Sequence, residues 1–295
     1  MVLQLQNINR KGVYMIKLLV DSSADCPDFV INDELVSILP LCINFGEKEY
    51  IDRVTITPTE FFQKLTEEKT APKTSQVTPA TFLEVFKREL AGGDQLVCLL
   101  IASAASGTFQ SAVVAKNELD SDDILLIDSN MLCLGEAYLA IKILEWIKAG
   151  KNLTEIADLA KPYTENKIQH LFTVDTMEYL KRGGRITGAK AFMAELLNIK
   201  PVLTVENGLT KPIGKLRGRK KVIPYYIKYI QEEMDWQQTD FILIGHTVDP
   251  DFAKELEEKI REEVKWEKPI HIAEIGPTIG THCGPGVLAV FYVKK

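Results

Sequence analysis

The chain lacks the features that announce several whole classes of protein. No apolar run approaches the ~18 residues that a bilayer-spanning helix needs. Five cysteines, Cys26, Cys42, Cys98, Cys133 and Cys283, form no C-x-x-C pair and are odd in number, which argues for free thiols in a reducing compartment rather than disulfides. Four histidines without close ligand spacing offer no metal site. Basic residues are outnumbered, 35 Lys and Arg against 41 Asp and Glu, and the net charge is −6, opposite to the field of a general nucleic-acid binder. There is no internal repeat and no low-complexity segment. The first fourteen residues lack the apolar core and small-residue cleavage site of a signal peptide. Met15 directly precedes the first strand-like run, so residues 1–15 read as an extraneous tail.

What is present suffices for a core: 295 residues, 46% of them hydrophobic. "IKLLV" (Ile16 to Val20), "QLVCLLIA" (Gln95 to Ala102) and "ILLID" (Ile124 to Asp128) are apolar throughout rather than alternating, the mark of strands covered on both faces. Helical spacing separates them. Thr57, Pro58 and Glu60 form a capping box ahead of one helix; Thr78 and Pro79 open the next, with Phe82, Val85, Phe86 and Leu90 on one face. A long helix ends at Gly150, and a hairpin turns at Gly46. This predicts an N-terminal α/β domain over 16–163 with a mainly parallel sheet. After Lys161-Pro162 the pattern changes. Strands in "IQHLFTV", around a hairpin at Asn207-Gly208, in "FILIGHT", "IHIAEIG" and "GVLAVFYV" mix with helices at "DTMEYLKRGGR", "AKAFMAELL", Pro224 to Glu233 and "DFAKELEEKIREEV". That predicts a C-terminal α+β domain over 164–295 with a mixed or antiparallel sheet.

Chemistry concentrates in a few short stretches. "SAASGTFQSA" (Ser103 to Ala112) sits where an apolar strand hands over to a helix. Two readings fit: Ser106 is a helix cap, or Ser106, Gly107 and Thr108 seat an anion at the helix N-terminus. "APKTSQVTP" places Thr74 and Ser75 in a loop ahead of another helix, polar for solvent's sake or as the second half of an anion cradle at the strand ends. "LKRGGRITGAK" imitates a phosphate loop through Gly183 and Gly188 but has Ala189 where lysine is required, leaving Arg185 as its candidate for gripping an anion. "GPTIGTHCGPG" (Gly276 to Gly286) reads as a loop that presents His282. Ser106 and His282 could form a hydrolase pair, yet the G-x-S-x-G elbow is absent. "KLRGRKK" (Lys215 to Lys221) is a basic cluster in an acidic chain, either a solvated face or a docking patch for an acidic or phosphorylated partner.

In order along the chain, "VDSSADCP", "TSQVTP", "SAASGTFQSA", "DTMEYLKRGGRI", "LNIKPVLTVENG" and "GTHCGPG" resemble the DegV family of bacterial proteins, over nearly all of the sequence from Ile16. The resemblance implies one long-chain fatty acid held between an N-terminal α/β and a C-terminal α+β domain. It further implies a cytoplasmic acyl-carrying subunit, not itself an enzyme and without a cofactor. A separate ATP-binding fatty acid kinase subunit would make acyl phosphate from the acid for phospholipid synthesis. It implies no nucleic acid and no membrane span, with membrane contact at most transient. By position, Thr74 and Ser106 would hold the carboxylate, with Ser75, Gly107, Thr108, Arg185 and His282 supporting the head group. The sequence departs from the family at Ala104-Ala105, where other members often carry a bulkier residue, and at Cys283. A stand-alone lipid carrier or sensor, and a serine acyl-ester hydrolase, are the alternatives.

Overall fold

The computed structural model describes residues 15–68, 70–188 and 198–295. The tail 1–14 and the helix expected over 189–197 lie outside the described residues. The N-terminal half runs β1 (Ile16–Asp21), α1 (Asp28–Ile31), β2 (Val36–Leu39), β3 (Cys42–Phe45), β4 (Lys48–Ile51), α2 (Pro58–Glu67), β5 (Lys73–Ser75), α3 (Pro79–Glu89), β6 (Gln95–Leu100), α4 (Thr108–Leu119), β7 (Ile124–Asp128), α5 (Leu134–Lys148) and α6 (Leu153–Pro162). A tight turn over Tyr163–Lys167, where the sequence places the domain boundary, leads into the second half. There follow β8 (Ile168–Thr173), α7 (Glu178–Gly183), β9 (Ile199–Glu206), β10 (Leu209–Arg217), α8 (Val222–Glu233), β11 (Ile242–His246), α9 (Pro250–Lys259), β12 (Ile270–Glu274), α10 (Pro277–Cys283) and β13 (Leu288–Val293).

Among the described residues the strands form three sheets. One is four-stranded and parallel, in the order β2-β1-β6-β7; one is six-stranded, β10-β9-β8-β13-β11-β12; one is three-stranded, β4-β3-β5. In the six-stranded sheet only the β11–β12 pair is parallel, so that sheet is mixed. The apolar strands of the parallel sheet split by parity, as the two-residue period of a strand requires. Leu19, Leu96, Cys98 and Leu100 face α3 and α4, whereas Leu18, Val20, Val97 and Leu99 face the opposite way, toward α5. The six-stranded sheet repeats the division: Leu171, Val202, Ile244 and Val290 pack on α8 and α9, while Phe172, Leu203, Ala289 and Phe291 turn inward to α5. Helix α5 therefore lies between the two sheets and is covered by both, which explains its unbroken run of buried residues from Leu134 to Ile141. One apolar cluster spans both halves of the chain.

Several elements differ from the sequence reading. The stretch holding Thr74 and Ser75 is not a loop but strand β5, pairing antiparallel with β3. "GPTIGTHC" is not a loop either; it folds as α10, with Pro277 at the first helical position and Gly284 at φ 73° just beyond its end. Proline-in, glycine-out is a helix signature that the crowding of both residues obscured. The Asn152–Glu155 capping box of α6 and the short elements α1 and β2 also escaped the sequence reading.

Candidate functional site

A single cavity gathers the chemistry-bearing stretches. It opens beside the C-terminal end of β6, next to the β1–β6 junction where the strand order of the parallel sheet reverses, the place at which open α/β sheets leave a crevice. Its floor and sides are mostly apolar: Ile101 and Leu132 from the parallel sheet's side, Val205 and Phe291 from the six-stranded sheet, Val287 just before β13 and Ile279 from α10, with His170, Thr210 and Thr278 also lining it. One end is polar, lined by Thr74, Gln76, Ser106, Gly107, Arg185 and His282. Five of the expected residues, Thr74, Ser106, Gly107, Arg185 and His282, thus come together from strand β5, the turn after β6, the segment after α7, and α10.

Local structure explains how each is aimed. In β5, Ile43↔Thr74 and Cys42↔Ser75 are consecutive pairs, so the two hydroxyls point to opposite faces. Thr74 faces the cavity; Ser75 turns outward and accepts a hydrogen bond from Asn44 Nδ2 at 2.9 Å, so the expected head-group role of Ser75 is not one its position allows. Gln76, on the parity of Thr74, lines the cavity and was missed. Its Nε2 donates to Ser111 Oγ at 3.0 Å, and its carboxamide lies on Gly107, where an added Cβ would come within 2.0 Å of Oε1. Gly107, not Ser106, is the N-cap of α4. Ser106 Oγ instead accepts from the backbone N–H of Thr108 at 3.3 Å and shares a 2.9 Å bond with its hydroxyl. Thr108 is fully buried and does not line the cavity; it orients Ser106 from behind. The small residues before it have a packing reason. A Cβ on Gly208, at the tip of the β9–β10 hairpin, would lie 2.7 Å from Ala102 and 3.1 Å from Ala104.

Arg185 does not swing freely. Its Nε donates to the carbonyl of Ala105 at 2.9 Å and its Nη1 to that of Gly183, while its own carbonyl is held by Thr210. The side chain thereby crosses from one half of the molecule to the turn that carries Ser106. His282 is packed rather than presented: Nε2 lies 2.9 Å from Thr74 Oγ1, and Nδ1 is buried against Gly183 with no partner among the described residues. Burial, reinforced by the charges of Arg185 and Arg182, lowers its pKa to about 4, so the ring is neutral at neutral pH. Its one N–H then belongs on Nε2, because a buried Nδ1–H would be a donor with no acceptor. His282 donates to Thr74, and the Thr74 O–H is left to donate into the cavity. With Nε2 committed to Thr74 and Ser106 bonded to Thr108, the serine–imidazole pair of a hydrolase is not made.

"VDSSADCP" has a different task. Asp21 accepts from the backbone N–H groups of Ser23 and Ile101, bracing the start of the Ser103–Gly107 turn. Asp25 receives Arg53 Nη2 at 2.9 Å and the backbone N–H of Gly276 at 2.8 Å; Arg53 also donates to the carbonyl of Glu274. Asp52 accepts from Ser22 and from Thr278, a cavity-lining residue. This buried clasp ties β1 and β4 to the start of α10 and so places His282. Burial raises the Asp25 carboxyl to about 6 although the adjacent Arg53 charge pulls the other way.

The remaining candidates lie elsewhere. Lys215, Arg217, Arg219, Lys220 and Lys221 are exposed on and after edge strand β10, with Arg219 paired to Asp249 and stacked 3.7 Å over Phe252. All five cysteines are free, and four are buried. Among the described residues no group of three or more His, Cys, Asp or Glu could hold a metal, and no helix is long and apolar enough to cross a membrane.

Known proteins share both sequence and fold. A family model described as "Uncharacterised protein, DegV family" matches residues 15–295. A DegV domain-containing protein of Caldanaerobacter subterraneus is 35% identical over 281 residues, covering 95% of this chain and 99% of the relative. The structure of a DegV family protein from Thermus thermophilus, described by its fatty acid binding, superposes with a TM-score of 0.86 at 30% identity, covering 95% of this chain and 100% of the other. DegV of Bacillus subtilis, described as a fatty acid binding protein, gives 0.83 at 26% identity, covering 96% and 100%. With the family model matched from Met15 to the last residue, the chain belongs to the DegV family.

Proposed function

We propose that the cavity holds one long-chain fatty acid, its carboxylate at Thr74 and Ser106 and its hydrocarbon tail along the inner face of the six-stranded sheet. The observation that carries this reading is that one cavity joins a long, mostly apolar wall to a polar end where Thr74, Ser106, Arg185 and His282 meet. A tail of about 14 methylenes contributes roughly 11 kcal/mol gross when buried, before the cost of association, so affinity resides in the tail. The head group needs only to be fixed in place. Two hydroxyls do this without a tight ion pair that would have to be broken on release. The DegV relatives described as fatty-acid binding support the assignment.

The finer reading is that the bound carboxylate is offered to a separate ATP-binding kinase subunit, which converts it to an acyl phosphate. Arg185 and His282, at the polar end, suit a group whose charge grows as a phosphoryl is transferred. Native mass spectrometry of the purified protein should reveal a co-purified acid. Replacing both Thr74 and Ser106 by alanine should speed exchange of a labelled acid, and unchanged exchange would remove them from the head-group site. Arg185→Ala should retain the acid but slow its phosphorylation; normal turnover would remove Arg185 from that step.

A further inference from the structure

We propose that His170 is a crossbar that closes the far end of the acyl channel and sets the longest chain it accepts. The inference rests on the fatty-acid reading of the cavity. Strand register gives the distance. Val287, Ala289 and Phe291 face the cavity in succession, and the last two pair with Phe172 and His170 of β8. At about 3.3 Å per residue, Phe291 and His170 lie ~13 Å along the sheet from Val287, which follows α10, the helix that brings His282 to the polar end. The next inward pair on this face, Val293 and Ile168, does not line the cavity and is packed into the core.

The imidazole spans the gap that remains between sheet and helix. It leaves β8, stands edge-on to Phe291 with centroids 5.3 Å apart at 78°, and ends against α5. Contact is made at Gly135: a Cβ there would fall 1.9 Å from Nε2 and 2.6 Å from Cε1. Only glycine lets the ring seat against the helix. Nδ1 is 3.3 Å from the carbonyl of Ile168, which fixes the ring's rotation, and Nε2 is covered with no partner among the described residues. The residue is 3% exposed. Its pKa is lowered by burial to about 4, so it brings no charge to the tail. A neutral, rigid ring wedged between strand and helix backbone leaves a methyl terminus nowhere to pass.

The test is a series of saturated straight-chain acids from about ten to about twenty carbons, with dissociation constants measured on delipidated protein. Each added methylene should tighten binding about fourfold until the tip meets the ring, after which the gain stops. His170→Ala should move that break to longer acids. Gly135→Ala should move it to shorter ones, because the new Cβ drives the ring into the channel. The directions are opposite, so either folded variant decides the matter if thermal unfolding shows the other to be damaged. A break at the same length as in the native protein, including one accompanied by a uniform loss at every length, overturns the proposal. Failure of the native protein to bind any acid would instead overturn the fatty-acid reading itself.

Discussion

His282 shows how much one side chain's neighbours decide. A histidine could be identified from "GTHCGPG", but its state could not. Burial against Gly183 depresses its pKa to about 4, against 6.5 for an unburied ring. Between these values the unfolded chain takes up a proton that the folded protein refuses, so stability falls as pH drops from about 6.5 toward 4. His282→Gln should remove its share of that loss, on the order of 2 kcal/mol, and a shallower dependence of Tm on pH over this window would show it. Asp25, raised to about 6, acts with the opposite sign over about pH 4 to 6, which is why the comparison must be variant against parent rather than a single curve. Gly183→Ala should disturb the same histidine without touching its chemistry. The new Cβ would sit 2.2 Å from Nδ1, pushing the ring off Thr74, and a labelled acid should exchange faster. Residue by residue, Thr74, Ser106, Arg185 and His282 were legible from polarity at strand and helix ends. Ser75 was expected at the head group and Gln76 was overlooked, because strand alternation sorts the two and the segment had been read as a loop.

The elements explain that error. Strand β5 is three residues long and carries no apolar alternation of its own; it exists because β3 offers it an edge. Helix α10 is seven residues of mostly poor helix formers, held by what it packs on. A Cβ on Gly280 would lie 2.7 Å from Phe62 and 2.9 Å from Phe61 on α2. Gly280→Ala should therefore destabilise the protein by about 1–3 kcal/mol through overpacking, despite alanine's better helix propensity, and a lowered denaturation midpoint would show it. A higher midpoint would mean that α10 is limited by propensity and not by its contact with α2. Helix α2 itself was fully readable. Its Thr57–Glu60 capping box is present in both directions, and Thr57→Ala should cost about 1 kcal/mol by the same measurement.

At the scale of the molecule, the two halves are joined by apolar packing on α5 and by the polar clasp around Asp25. Arg53→Met should leave Asp25 buried without its cation and cost about 2 kcal/mol or more, a partner-removal effect tempered by the partial exposure of Arg53. Asp25→Asn in the same background should recover part of the loss, and an additive double variant would show that the two side chains do not interact. By itself the sequence determined the classes of protein excluded, the parallel and mixed sheets, most helix starts and four of the polar cavity residues. Those depend on periodicity, capping and turn chemistry, which act over a few neighbouring residues. Only the tertiary structure decided that Ser75 faces out, that Gln76 and His170 face the cavity, and that Asp25 of "VDSSADCP" clasps the start of α10. Such choices are made between segments as distant as Asp25 and Gly276, where space and hydrogen-bond partners exist only once the chain has packed.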